Sequence, residues 1–316
     1  MAETIQYEAS FEDDGLYVKE IIRRRLDFSS RLLKKIKYGG NVYLNGLPAK
    51  VNARVHSGDL LTVELPEESS YFEPEHIPFG IAYEDQDLLV VDKPAGIVVH
   101  PTKNYQSGTL ANALAWLLKE REEQGKETFK IRFVNRLDRD TSGLLIVAKN
   151  PHAQDFLDGE MKKDRVIKEY LALVHGITEE RGTIDLPIDK DPNHVARRMV
   201  IEGGYPSVTH YERLEAFEKA PGSTGSIDGY SLLRLRLDTG RTHQIRVHMT
   251  HIGHPLVGDE LYGQLYGYDI PPSWMPRQAL HAAHLEFRSP RDEKIIKADS
   301  DLPQDMKNAL DHIRNI

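Results

Sequence analysis

Residues 135–143 read Asn-Arg-Leu-Asp-Arg-Asp-Thr-Ser-Gly and lead into the apolar run Leu144–Ala148. Asp138 stands between Arg136 and Arg139. A nearby cation keeps a partly buried carboxylate ionised, and so available as a nucleophile or a base. Leu137, between the two arginines, turns the loop inward. The competing reading is a plain polar turn, because Asp, Thr, Ser and Gly satisfy their own backbone in turns. A second stretch, 237–263, sets Gly240 and Arg241 just ahead of a helix. Thr242 reads as its N-cap, Ile245, His248, Met249 and Ile252 share a face, and Gly253 reads as the stop. Free N–H groups at a helix start favour anions, so Arg241 can pair a carboxylate or a phosphate there. A third stretch, 167–176, alternates so that Lys168, Tyr170, Ala172 and Val174 share one strand face. A lone strand tyrosine is by default a core residue with its hydroxyl at the edge.

The elements that position these residues are legible around them. Asp87–Asp92 reads as a short buried strand, followed by the turn Lys93-Pro94-Ala95-Gly96. Thr109 caps a helix that buries Leu110, Ala113, Leu114, Leu117 and Leu118, and Lys119–Lys130 reads as a charged exposed insertion. Asn150-Pro151 is an N-cap with proline at the first helical position. Val166–Val174 and Leu232–Leu237 read as strands, and Ala220–Gly229 as a loop. Strands interspersed with a few helices, without strict alternation, predict an α+β fold with a largely antiparallel or mixed sheet.

The N-terminal part has its own pattern. Val18, Ile21, Ile22, Arg25 and Leu26 follow helical spacing. Ser29 and Ser30 can cap a second helix, in which Leu32, Leu33 and Ile36 face inward. Arg31, Lys34 and Lys35 share another face of that helix. Asn45-Gly46 is a tight turn between strands, and Leu61, Val63 and Leu65 alternate in a closing strand. Glu67–Pro78 reads as a linker. The chain carries a net −8, yet Val18–Arg54 holds ten Lys or Arg against Glu20 and Asp27, a local charge of +8 that leaves −16 for the remainder. A basic module joined to an acidic body suggests a polyanionic partner, against the bland alternative of a solvated basic helix. There is no cysteine, which excludes disulfides and thiolate metal sites and makes a reducing compartment the default. The first residues lack a signal-peptide pattern, and the longest apolar run is too short to span a bilayer. A cytoplasmic protein away from membranes is the expectation.

Several blocks in order resemble the RluA/RluD family of RNA pseudouridine synthases. They are DKPAGIVVHP (92–101), NRLDRDTSG (135–143), KEYLALV (168–174), GRTHQIRVHM (240–249), HPLVGDELYG (254–263) and ALHAAHLEF (279–287). The segment from Ser29 to Pro66 resembles the alpha-L, or S4-like, RNA-binding motif, which often precedes the catalytic domain in that family. The resemblance implies an extension over 1–12, an S4-like domain over 13–75 and a catalytic domain over 76–316. It implies that Asp138 is the catalytic aspartate, that Arg241 pairs with it, and that Tyr170 contacts the target base and helps move a proton. It implies further that Arg136 enters the RNA stack where the base leaves. Arg31, Lys34, Lys35 and Lys168 are the other expected RNA contacts. Asn135 departs from the family's usual histidine, which puts local packing or RNA contact in doubt rather than the reaction. The implied substrate is RNA, large-subunit ribosomal RNA first and transfer RNA as the alternative, acted on by a monomer.

Exchanging an N-glycosidic for a C-glycosidic bond changes no redox state and adds no group, so no cofactor and no metal are expected. What it needs is a base taken out of the stack, a carboxylate and proton movement. Three rivals stand beside this reading. His243, His248, His251, His254, His281 and His284 could serve a metal hydrolase, but 243 and 248 lack the helical i, i+4 ligand spacing. Asp138 with Asp140 could serve a two-carboxylate hydrolase. A catalytically idle RNA-binding or ribosome-assembly protein would keep the basic module and lose nothing on Asp138→Asn.

Overall fold

In a computed structural model of the chain, residues 4–26, 28, 30–39, 41–64, 72–102, 104–218, 229–267 and 272–315 are described, with the side chains of residues 30, 31, 35, 38 and 39 set aside. The N-terminal module is a four-stranded antiparallel sheet in the order β1 (Thr4–Glu8), β4 (Leu60–Glu64), β2 (Asn41–Leu44), β3 (Leu47–Pro48). Helices α1 (Val18–Arg24) and α2 (Ser30–Gly39) cover it. Val18, Ile21, Ile22, Leu32 and Ile36 meet Val42, Leu61 and Val63 in a separate small core. The anticipated Asn45-Gly46 turn is present, with both residues at positive φ (51° and 77°), as a two-residue hairpin requires. Residues 1–12 were expected to be an extension. Instead Thr4–Glu8 pairs in register with Leu60–Glu64, because its alternating pattern supplies the strand that covers the β4 edge. The anticipated Ser29 cap, Leu65 and residues 220–228 of the loop expected over Ala220–Gly229 lie outside the described residues, while Gly229 opens a strand.

The larger body is built on a ten-stranded mixed sheet. Its main path runs β10 (Arg181–Asp185), β13 (Val208–Glu218), β14 (Gly229–Leu237), β9 (Ile167–His175), β15 (Leu280–Arg288), β8 (Ser142–Ala148), β6 (Leu88–Lys93), β5 (Gly80–Glu84). Strand β7 (Arg132–Phe133) pairs with β8, and β16 (Ile295–Asp299) with β15. All neighbours are antiparallel except β15 and β8. A separate hairpin joins β11 (Ile188–Lys190) to β12 (Arg198–Val200).

The central strands read as unbroken apolar runs because both faces are covered. Leu89, Val91, Leu145 and Val147 point to one side. They meet Leu110, Ala113, Leu114 and Leu118 of α3 (Leu110–Glu123) and share a core with Ile245 and Met249 of α5 (Gln244–His251). Leu88, Val90, Leu144 and Ile146 point to the other, where Leu157 of α4 (Pro151–Lys162) packs. Further along that side, Met306, Ala309, Leu310 and Ile313 of α7 (Gln304–Arg314) seal the sheet. Thr109 and Asn150 cap their helices through Asn112 and Ala153 amides. Lys119–Glu123, anticipated as part of an insertion, instead continues α3, since Arg121 is held by a paired fork on Glu84 (2.6 and 2.7 Å). Among the described residues no helix is long and apolar enough to cross a membrane.

One parallel contact fixes where the site sits. β8 begins beside β15 with Gly143 opposite Ala282, and Ala282 faces Tyr170 on β9. Gly143 has φ +107°, and a Cβ there would overlap the Ala282 carbonyl oxygen. Only glycine lets the chain leave the Asp138 loop and enter the sheet so close to β15. Tyr170 then lies two strands from that entry, roughly 10 Å across the sheet.

Candidate active site

The loop before β8 is clamped at both ends. At its start, Asn135 Oδ1 accepts the Ile146 backbone N–H at 2.8 Å, so the residue that departs from the family pattern ties the loop to the strand it feeds. At its far end, the Arg139 carbonyl accepts from Gly96 N (2.9 Å) and from Lys93 Nζ (2.9 Å). Lys93 is fully buried and also donates to the carbonyls of Pro94 and Ile97 (2.7 and 3.0 Å). Burial pushes its pKa down to about 7, with Asp140 opposing, while the three carbonyls match the three protons of an ammonium. Arg277, ion-paired to Asp305 of α7, donates to the Asp140 carbonyl at 2.8 Å. Leu137 packs into the main core as anticipated.

This leaves Asp138 facing a cleft of about 1200 Å³, beside Tyr105, Arg136, Arg139, His243 and Arg246. The cation at Asp138 is Arg246, whose Nη1 donates to Oδ2 at 3.2 Å. The anticipated partner, Arg241, is not there. It is exposed, its guanidinium lies over the Tyr205 ring (5.6 Å), and its Nε reaches the Pro206 carbonyl (3.3 Å). The reason is helical phase. α5 begins at Gln244, after a left-handed His243 at its N-cap (φ +60°), and not after Thr242. A helical side chain leans back toward the helix N-terminus, so Arg246 in the first turn reaches the loop while Arg241 precedes the helix and points away.

Arg246 is 6% exposed and is aimed by a fork on Asp259 (2.6 and 2.8 Å) and by the Tyr262 ring beneath it (4.9 Å). Burial works against its charge, and Asp259 with Asp138 outweighs burial, raising its pKa. Asp259 also caps the short α6 (Glu260–Gly263) through the Tyr262 amide. His243 Nε2 lies 3.7 Å from Asp138 Oδ2, and its Nδ1 lies 2.9 Å from the Tyr262 hydroxyl. Tyr170 is nearly buried in the main core. Burial, and next Asp138, raise its pKa, so its phenol keeps its proton at neutral pH.

The remaining anticipated residues divide. Arg136 is exposed beside the cleft and makes no ion pair among the described residues. Lys34 is exposed on α2, and the side chains of Arg31 and Lys35 lie outside the described residues. Lys168, anticipated as an RNA contact, is buried with its Nζ 4.0 Å from Met161 Sδ. It therefore offers no surface charge. Asp140 is bound by Arg139 at 3.0 and 2.9 Å, which occupies the second carboxylate of the hydrolase reading. The histidines go to separate partners: His248 to Thr209 and Leu186, His281 to Ser142 and Ser300, His254 to the His175 carbonyl. Arg246, Asp259, Tyr262 and Lys93 were not singled out for the site by the sequence, and His243 was weighed only as a metal ligand. The one available signal was an arginine between Ile245 and Val247, on the helix flank beside the expected buried face.

Sequence and structure comparisons point the same way as this geometry. Residues 87–251, which contain Asp138, Tyr170 and Arg246, match the family model described as RNA pseudouridylate synthase. Ribosomal large subunit pseudouridine synthase D of Nitrosomonas europaea is 42% identical, over 87% of this chain and 77% of that protein. The uncharacterized RNA pseudouridine synthase YhcT of Bacillus subtilis is 36% identical, over 94% of this chain and 93% of that protein. Among solved structures, human RNA Pseudouridylate Synthase Domain Containing 1 superposes with a TM-score of 0.56 at 28% identity, covering 78% of this chain and 98% of that one. The chain belongs to the RNA pseudouridine synthase family. Within it the chain is of the RluA/RluD type, an isomerase that acts on RNA.

Proposed function

We propose that this enzyme isomerises specific uridines of large-subunit ribosomal RNA, with Asp138 as its catalytic carboxylate. The observation that carries the reading is the placement of Asp138. One oxygen is held by Arg246 at 3.2 Å on a cleft that also carries Arg136 and Lys162. A flipped base needs such a pocket with cations around it. In the reaction the N1–C1′ bond breaks, the C5–C1′ bond forms, the hydrogen on C5 leaves to solvent as a proton, and N1 takes up a proton in its place. Asp138 either adds to the ribose or uracil as a nucleophile or removes the 2′ proton so that uracil departs, rotates and reattaches. Tyr170 enters with its hydroxyl protonated, so it passes a proton on only as another arrives. Arg136 takes the space the base vacates.

The N-terminal module supports the RNA reading. Its topology and exposed Arg23, Arg24 and Lys34 suit an S4-like domain lying on a phosphate backbone, with Arg31 and Lys35 on the same helix. The large-subunit assignment draws on the name of the Nitrosomonas europaea relative, with transfer RNA as the alternative. The enzyme works as a cytoplasmic monomer without a cofactor. The test is tritium release from transcripts carrying tritium at uracil C5. Release from ribosomal RNA by the wild type, with a loss of at least about 10⁴-fold in Asp138→Asn, is the expected outcome. Release only from transfer RNA would move the substrate. Release by Asp138→Asn would remove the chemistry from this carboxylate.

A further inference from the structure

Tyr262 is 1% exposed. Its hydroxyl makes two contacts among the described residues, one with the backbone N–H of Arg198 at 2.9 Å and one with His243 Nδ1 at 2.9 Å. The amide can only donate, so the phenolic proton must go to His243, since leaving it unbonded in a buried site is costly. Nδ1 then holds the lone pair, and the neutral ring carries its proton on Nε2. Nε2 is the nitrogen 3.7 Å from Asp138 Oδ2. A left-handed backbone at a non-glycine residue (φ +60°) costs conformational energy and persists where the surroundings demand it. Here it turns the imidazole off the start of α5 and onto the loop. The charged and titratable groups facing the ring are Asp138, Arg246, Asp259, Arg198 and Tyr262. Burial lowers the ring's pKa, Asp138 opposes, and Arg246 works with burial.

We propose that His243 is a positioning residue for the carboxylate. Tyr262 fixes its Nε2–H tautomer, and that N–H acts with Arg246 Nη1 to set the direction in which Asp138 presents its other oxygen to the base. The inference rests on Asp138 being the catalytic group. It also gives the β11–β12 hairpin a route to the chemistry. The Arg198 amide that completes the chain belongs to β12, two residues beyond Ala196 on the cleft wall. Seating of the hairpin is thereby felt at Asp138 through Tyr262 and His243.

The test is nitrogen NMR of the full chain labelled at histidine, with His243→Gln to identify the signal. The wild type is expected to show a neutral ring with its proton on Nε2 around pH 7. In Tyr262→Phe the other tautomer should appear, and kcat for tritium release should fall about tenfold with KM held within about twofold. Gln keeps a donor near the Nε2 position, so His243→Gln should retain about fivefold more activity than His243→Leu. A wild-type ring protonated on Nδ1, or a Tyr262→Phe enzyme with unchanged tautomer and kcat, overturns the proposal. The tautomer signal needs no turnover. An active Asp138→Asn would therefore be recognised as failure of the reading beneath it.

Discussion

At the residue scale, the question is which arginine serves Asp138. Two stand five positions apart, and only the helix phase separates them. Arg246 is buried, bound to Asp259 and in contact with Asp138, while Arg241 is exposed on Tyr205. Arg246→Lys keeps the charge but cannot reproduce the planar fork on Asp259. Its kcat for tritium release should drop about a hundredfold, or about 3 kcal/mol of transition-state stabilisation. Arg241→Ala should change kcat by less than about threefold and act, if at all, through KM. Single-turnover tritium release on both variants decides the matter, and the reverse ranking would return Arg241 to the site. The placement of the Asp138 loop against the core was legible because the loop is contiguous in sequence: an inward leucine and a terminal glycine speak of one place. Arg246 was not, because its partners Asp138 and Asp259 lie 108 and 13 residues away. Lys168 misled for a related reason. A charge in sequence does not say whether the side chain that carries it is buried.

At the element scale, the long apolar runs were readable and the short strands were not. β6 and β8 are buried on almost every residue of both faces, and β9 alternates before its buried end from Ala172, so apolar content and alternation declare them. β7, β11 and β12 span two or three residues and exist only through their partners. The N-terminal module holds a polar anchor of the same illegible kind. Asp13 is fully buried and accepts from the Tyr7 hydroxyl (2.6 Å), Ser10 (2.9 and 2.7 Å) and Arg25 Nε (2.7 Å). Burial would raise its pKa, but these hydrogen bonds outweigh it and hold the carboxyl below its ordinary 3.8. A carboxyl depressed in the folded state contributes stability that is complete above the unfolded value and is lost as pH falls below it. Hydrogen-exchange protection of α1 should therefore weaken selectively between about pH 4 and pH 2. Asp13→Asn should lose about 2 kcal/mol at neutral pH and flatten that acid dependence. Protection independent of pH in the wild type would show that the anchor contributes nothing.

At the scale of the whole molecule, the basic charge is concentrated in one segment, +8 over Val18–Arg54 against −16 elsewhere, although the N-terminal module as a whole (residues 4–64, ten Lys or Arg against eight Asp or Glu) nets only +2. The division was visible in sequence, but its geometry was not. The module sits near the catalytic body's α4, with the Phe28 ring 5.3 Å from His152 and Leu32 among the residues lining the cleft. One RNA can then meet the exposed cations of α1 and α2 while its target base enters at Asp138. Affinity should come from the module and turnover from the cleft. Each phosphate contact releases condensed counterions, so replacing Arg23, Arg24 and Lys34 with glutamine should lower the slope of log Kd against log salt by about 2 to 3. Binding to a ribosomal RNA fragment should weaken at every salt concentration. Tritium release at saturating RNA should stay within about twofold, because none of the three residues is among those lining the cleft at Asp138. Arg136→Gln should do the opposite, lowering kcat by about tenfold with a slope change of about 1 at most. If the triple variant kept the wild-type slope, the basic module would be a solvated surface, and the RNA would have to be held by the cleft cations alone.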